Sequence, residues 1–279
     1  MMGAILSRLT KGSNVNLENK VVWITGASSG IGKELAKQCA DLGARVVLSA
    51  RRAEVLEAVR SELTGGKNKH WVVPLDLEDA DKLMESATAA LADIGSVDIL
   101  VNNGGISQRG MFLETDFDVY KRLMNVNYLG TVALTKVILP SMVARRQGSV
   151  VSISSVAGKV GSKLRTGYSG SKFAVVGMMD CLRAEVSEYG IQCLTVCPGF
   201  IQTDIAVNAL SADGSANAVN ESNIEQGLTA QECCQQILRA IEQNKDEVVI
   251  GKGLSGLAPT IKRFFPGLFN TLAAKRAAS

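Results

Sequence analysis

Short runs of β-branched and other apolar residues recur along the chain, each followed by a stretch with helical spacing. The runs cover residues 21–24, 45–48, 71–73, 97–101, 149–153, 191–197 and 247–250. Most are continuously apolar, which marks strands covered on both faces. Helical patterns fill residues 31–42, 53–63, 79–91, 117–145, 167–188 and 230–242. Seven strands alternating with helices predict an α/β fold, a doubly wound sandwich on a seven-stranded parallel sheet with right-handed crossovers. No linker and no internal repeat interrupts the pattern, so one domain is expected over residues 17–255, preceded by an extension at 1–16. Residues 206–227, rich in Asn, Ser, Ala and Gly, follow the sixth strand at the sheet's carboxyl edge. Ligands bind at that edge in open α/β sheets, and a loop there can close over a substrate.

Composition narrows the chemistry. The 279 residues are 46% hydrophobic and 20% charged, which excludes an intrinsically disordered chain. A formal net charge of +3 leaves no basic footprint, so no nucleic-acid partner is expected. His70 is the only histidine, which excludes a multi-histidine metal site and leaves a hydrolytic triad only if His70 serves it. No metal is expected. Six cysteines without paired CxxC spacing, in a chain with no secretory leader pattern, are expected to stay reduced in an intracellular, cytoplasmic protein. Cys193 and Cys197 share one strand face, about 13 Å apart, too far for a disulfide. No apolar run approaches a membrane span. If Met2 is the start, Met2-Gly3-Ala4-Ile5-Leu6-Ser7 fits the N-myristoylation pattern.

The turn after the first strand reads Thr25-Gly26-Ala27-Ser28-Ser29-Gly30-Ile31-Gly32. Its glycines permit a tight turn and let backbone N–H groups approach a pyrophosphate at a helix N-terminus. It lacks the Lys-Ser/Thr of a P-loop, which disfavours nucleotide hydrolysis. The second strand ends Ser49-Ala50-Arg51-Arg52. A site for NAD wants an acidic residue here for the ribose 2′-hydroxyl, whereas a guanidinium pairs with a 2′-phosphate. Arg51 therefore points to NADP(H), with Arg52 ambiguous.

Tyr168 and Lys172 are spaced to share one helix face. A cation one turn from a phenol favours the phenolate, and the tyrosine can then exchange a proton with a carbonyl or alcohol. Ser154 and Ser155 end the fifth strand at the same edge, where a hydroxyl can bond a substrate oxygen. The residues alone do not choose between these serines.

Together the glycine turn, Asn102-Asn103-Gly104-Gly105, Asn127-Tyr128-Leu129-Gly130, Ser155, Tyr168-x-x-x-Lys172 and Pro198-Gly199 resemble the short-chain dehydrogenase/reductase superfamily in order and spacing. The resemblance spans about residues 17–250 and implies a Rossmann-type fold. It implies Tyr168 as general acid/base and Lys172 as the residue that lowers the tyrosine pKa and binds the nicotinamide ribose. Ser155 matches the substrate-orienting serine, and Asn127 matches the residue that holds a water in a proton relay. Gly26, Ser28, Ser29, Gly30, Ile31 and Gly32 match the cofactor turn. Asp76 and Leu77 match the pair beside the adenine, Asn103 a cofactor-contacting asparagine, and Pro198, Gly199 and Thr203 the segment at the carboxamide. Gly104 stands where the family usually has Ala. The phrases at 132–136, 180–185 and 207–215 resemble one subgroup, which implies NADP(H)-dependent reduction of lipophilic carbonyls. Members of that subgroup carry an N-terminal membrane anchor, which is not seen in this sequence. The family also implies a homodimer or homotetramer. A catalytically silent NADP(H)-binding sensor or scaffold on the same fold is the alternative.

Residues 256–279 form a basic amphipathic tail, with Phe264, Phe265 and Phe269 beside Lys262, Arg263, Lys275 and Arg276. Such a segment can lie on a membrane surface, dock on its own domain or stay mobile. Pro266-Gly267 is expected to divide it into two short helices.

Overall fold

The computed structural model describes residues 16–203, 205, 207–216 and 227–275. The Gly3 acylation pattern, nearly all of the 1–16 extension, Arg276 and about half of the 206–227 loop lie outside the described residues. The strands are β1 (Val21–Thr25), β2 (Arg45–Ser49), β3 (Trp71–Val72), β4 (Ile99–Asn102), β5 (Gly148–Ile153), β6 (Ile191–Pro198), β7 (Ile201–Gln202), β8 (Leu228–Thr229) and β9 (Glu247–Ile250). The helices are α1 (Gly30–Asp41), α2 (Ala53–Glu62), α3 (Ala80–Ile94), α4 (Phe117–Met124), α5 (Gly130–Arg145), α6 (Thr166–Glu185), α7 (Ala230–Glu242), α8 (Gly253–Phe264) and α9 (Pro266–Lys275).

Seven strands form one sheet in the order β3-β2-β1-β4-β5-β6-β9. Every neighbouring pair is parallel. Strand order therefore reverses between β1 and β4, which opens a crevice at their carboxyl ends. Alternate residues of each strand feed opposite cores. Val22, Ile24, Val46, Leu48, Val101 and Val196 pack with Leu35, Leu56 and Ile237 of α1, α2 and α7. Trp23, Val47, Leu100, Val150 and Cys193 pack with Leu83, Leu134, Ile138, Met142 and Met179 of α3, α5 and α6. Each fully buried Leu or Ile contributes roughly 1.5–3 kcal/mol, so the two-sided core accounts for the apolar strand runs. The six cysteines are free thiols, and Cys181 alone is exposed. His70 is buried, and Nδ1 accepts the Val46 N–H at 3.1 Å while Nε2 lies 2.9 Å from the Thr64 carbonyl. It ties β2 to the segment entering β3.

The expected helix over 117–145 is divided. A π-helical turn, Asn125–Leu129, separates α4 from α5. No proline or glycine at 125–129 interrupts the helical run, so the sequence pattern does not mark the turn, and such bulges concentrate at functional positions. Phe117–Arg145 also contains a window whose mean hydropathy and length would allow it to cross a membrane, although no continuous apolar run of that length is present. Half of that window is buried inside the domain, as befits a core helix. The parallel pair β7–β8 was not anticipated. The tail forms α8 and α9, broken at Phe265 before Pro266. It leaves Leu254, Leu257, Phe264, Phe265, Leu268 and Leu272 exposed instead of docking them on the domain.

Candidate active site

A cleft of about 590 Å³ opens at the carboxyl ends of the central strands. Its floor begins with the turn after β1. Gly26 and Gly30 adopt φ of +65° and +53°, a left-handed backbone that disfavours side chains. A Cβ on Gly32 would fall 2.3 Å from the Gly26 carbonyl, so only glycine lets α1 approach the turn this closely. Thr25 and Asn103 staple the turn to β4. Thr25 Oγ1 accepts the N–H groups of Asn103 and Gly104 at 3.0 and 2.9 Å, and Asn103 Nδ2 donates to the Thr25 carbonyl at 2.9 Å. A cradle a Cβ would fill, ending at a helix N-terminus, fits the pyrophosphate of a dinucleotide.

Ser28, Ser29, Gly30, Ile31, Ser49, Ala50, Arg51 and Arg52 border this part of the cleft, with Asp76, Leu77, Glu78 and Arg122 across from them. Arg51 and Arg52 are exposed, and no ion pair joins either to a described residue. Glu78 and Arg122 pair at 3.2 Å. Pro198, Gly199 and Thr203 line the opposite edge, and the Thr203 methyl lies 3.1 Å from where a Cβ on Gly30 would stand. The described part of the 206–227 loop reaches the cleft through Asn208, Leu210 and Ala216. Among the described residues no cluster of three His, Cys, Asp or Glu side chains could hold a metal ion.

Ser155, Tyr168 and Lys172 meet in the cleft. The structure separates the two serines. Ser154 Oγ donates to the Lys172 carbonyl at 2.9 Å and fastens α6 to the end of β5. Ser155 Oγ accepts the Ala157 N–H at 3.0 Å, which caps the short turn Val156–Gly158, and donates to the Pro198 carbonyl at 3.4 Å. Burial pushes the Tyr168 phenol up, and the Ser155 hydroxyl and the Arg165 charge pull it back. Lys172 is 4% exposed, donates to the Ile153 carbonyl at 2.9 Å, and is pushed down by burial to about 8, with Cys197 opposing. Ser155 and Arg165 are thus two groups that bear on the tyrosine's acidity, a link that the Tyr-Lys spacing alone does not suggest. The Lys172 ammonium is turned to a backbone carbonyl, and its own charge is weakened by burial.

Two expected site residues stand behind the cleft. Gly32 packs its α-carbon against the Gly26 carbonyl and Asn103. Asn127, on the π-turn, is 1% exposed. Its Oδ1 accepts the Ile106 N–H at 2.8 Å, and its Nδ2 donates to the Ile106 carbonyl and Ser171 Oγ at 2.9 Å. Ser171 Oγ donates in turn to the Tyr168 carbonyl at 2.8 Å. Asn127 therefore braces the backbone of α6 at the tyrosine. Sequence reading passed over Thr25, Ser171 and Arg165. Thr25 opens the glycine turn and Arg165 lies three residues before the tyrosine, but their roles depend on long-range contacts that no local spacing encodes.

A sequence profile described as "short chain dehydrogenase" matches residues 20–214. Dehydrogenase/reductase SDR family member 7B of Bos taurus is 42% identical over 267 residues, covering 94% of this chain and 82% of the relative. Dehydrogenase/reductase SDR family member 7 of Homo sapiens is 42% identical over 241 residues, covering 85% and 71%. The crystal structure of a short-chain dehydrogenase from Streptomyces avermitilis superposes with a TM-score of 0.75 at 28% identity, covering 92% of this chain and 95% of that one. A short chain dehydrogenase from Burkholderia cenocepacia in complex with NADP has the same fold, with a TM-score of 0.77 at 22% identity over 94% and 100% of the two chains.

Proposed function

This chain belongs to the short-chain dehydrogenase family, and on that premise we propose that it interconverts a carbonyl and an alcohol with NADP(H). The observation that carries this reading is the meeting of Ser155, Tyr168 and Lys172 with the glycine turn in one cleft. When bound, the nicotinamide supplies or accepts the hydride. The turn from Gly26 to Gly30 and the N-terminus of α1 hold the pyrophosphate. Ser155 directs its hydroxyl to the substrate oxygen, and Tyr168 gives that oxygen a proton in reduction or takes one in oxidation. Lys172 holds the ribose, and Asn127 keeps Tyr168 in register through Ser171. Arg51, beside Ala50 where an acidic residue would reject a phosphate, selects NADP(H) over NAD(H).

The substrate in this reading is a lipophilic ketone or aldehyde, steroid-, retinoid- or lipid-like. Ile106, Val126, Ile201, Ile205 and Leu210 give the cleft an apolar side that supports it. Oxidation of NADPH and NADH should be compared across a panel of such carbonyls. Turnover favouring NADPH on a lipophilic ketone is expected. Tight NADPH binding without turnover on any carbonyl would favour the sensor reading.

The tail supports a peripheral membrane role. Exposed Leu254, Leu257, Phe264, Phe265, Leu268 and Leu272 accompany Lys252, Lys262, Arg263 and Lys275, and no Asp or Glu follows Glu247. An apolar face with a basic rim suits an anionic lipid surface. Flotation with anionic vesicles should be lost in the Phe265→Ser/Leu268→Ser variant. Six free thiols support a reducing, cytoplasmic location. Assembly into a homodimer or homotetramer belongs to the same reading, supported by exposed Leu129 and Phe173.

A further inference from the structure

Arg165 stands beside Tyr168 at the start of α6. It is the N-cap residue of α6 and makes no side-chain cap. A cation is unfavourable at a helix N-terminus, where the dipole is positive. The residue before it, Leu164, has φ of +64°, a left-handed conformation that disfavours a branched side chain. That backbone is held by the Gly110 N–H, which donates to the Leu164 carbonyl at 3.0 Å. Arg165 Nη1 donates to Ser107 Oγ at 3.0 Å, and Ser107 is only 1% exposed. Ser107 is itself anchored, since its carbonyl accepts the Leu210 N–H at 2.9 Å. The result is a guanidinium whose carbon lies 5.8 Å from the centroid of the Tyr168 ring, within cation–π reach.

We propose that Arg165 is a positioning residue for the acid–base step: Leu164 and Ser107 hold its guanidinium over Tyr168, where it stabilises the phenolate. In reduction the Tyr168 O–H bond breaks, the proton goes to the substrate oxygen, and the phenolate left behind is the state Arg165 favours. A phenolate ring is more electron-rich than a phenol ring, so the cation binds it more strongly. Lys172 Nζ lies 6.0 Å from the same centroid, but its charge weakens above about 8. A guanidinium keeps its charge throughout. The apolar groups packed on Tyr168 are Val119, Leu123 and Leu210, with Ile106 and Ala157. Of the cleft's other charges, Glu78 and Arg122 pair with each other, Asp76 Oδ1 accepts the Glu78 N–H, and Arg51 and Arg52 border the turn. Arg109, half-buried, stands on the same loop as Ser107.

The inference rests on Tyr168 being the acid–base group, and its test reads protonation instead of turnover. Protein isotope-labelled at the tyrosine Cζ carbon and saturated with NADP+ is titrated by NMR, with Tyr168→Phe identifying the resonance among four tyrosines. Arg165→Gln should move the Tyr168 midpoint upward by about one pH unit. Arg165→Lys should restore most of it, and Ser107→Ala, which removes one hydrogen-bond partner of the guanidinium without removing its charge, should give a smaller upward move. An unmoved midpoint in Arg165→Gln, or equal midpoints in Arg165→Gln and Arg165→Lys, would overturn the proposal. Should Arg165→Gln not fold, an unmoved midpoint in Ser107→Ala would do so. Failure of the broader reading looks different, because Tyr168→Phe would then retain turnover while the Arg165 coupling persists.

Discussion

Adjacent serines at the end of β5 give opposite predictions. Ser154→Ala removes one buried hydrogen bond, from Oγ to the Lys172 carbonyl at 2.9 Å. A neutral buried hydrogen bond is worth about 1 kcal/mol net, and a carbonyl that keeps its helical partner loses little more. The small void left against Gly158, where a Cβ would approach Ser154 Oγ at 2.4 Å, adds a fraction of that. A total of about 1–2 kcal/mol lowers the melting temperature by roughly 2–6 °C in a domain of this size. Turnover should fall only a few-fold, because Lys172 and Tyr168 stay on a helix that α4 and β6 also hold. Ser155→Ala loses the cap on the Val156–Gly158 turn, about 0.5–1 kcal/mol, and removes the hydroxyl that stands beside Tyr168 in the cleft. Loss of a donor aimed at developing negative charge costs about 100-fold or more in kcat. Thermal melting and steady-state kinetics of both variants on one turned-over ketone make the comparison. A folded Ser154→Ala protein without activity, beside an active Ser155→Ala protein, would reverse the assignment.

Other consequences follow from the same geometry. Arg51→Ala should weaken NADPH about tenfold and leave NADH nearly unchanged, the modest size reflecting screening at an exposed side chain. Calorimetric titration with both nucleotides checks it, and equal losses would remove Arg51 from the 2′-phosphate. His70 is held below its usual 6.5, chiefly by burial. The unfolded chain therefore takes up a proton before the folded one, so stability is full above 6.5 and declines as pH falls through it. Melting curves across that range should show a steeper acid-side decline than those of His70→Gln; parallel curves would count against the buried neutral ring. Gly32→Ala should abolish nucleotide binding or destabilise the domain by about 1–3 kcal/mol, since its Cβ meets the Gly26 carbonyl at 2.3 Å.

How much of this was legible in the sequence depended on whether the cause was local. The seven strands were, because burial on both faces leaves continuous β-branched runs such as Val46-Val47-Leu48. The glycine turn was legible because the left-handed backbone at Gly26 and Gly30 excludes most other residues. The π-turn at Asn125–Leu129 was hidden in an unbroken helical pattern, although it sets Asn127 behind Tyr168. The division of labour between Ser154 and Ser155 depends on which hydroxyl faces α6, which only the packed structure decides. His70 and Arg165 act on partners brought near by folding, Val46 for one and Ser107 for the other. The exposed stripe on α8 and α9 could be drawn on a helical wheel, but only the fold shows that the domain leaves it uncovered.

The central claim is that Tyr168 moves the proton that accompanies hydride transfer. Tyr168→Phe removes one oxygen and leaves the ring in its apolar cluster with Val119, Leu123 and Leu210. NADPH affinity and turnover of that variant should be measured side by side on a ketone the intact protein reduces. The account predicts affinity within about threefold and a kcat lower by roughly 100-fold or more. Near-normal turnover in a folded Tyr168→Phe protein would contradict it.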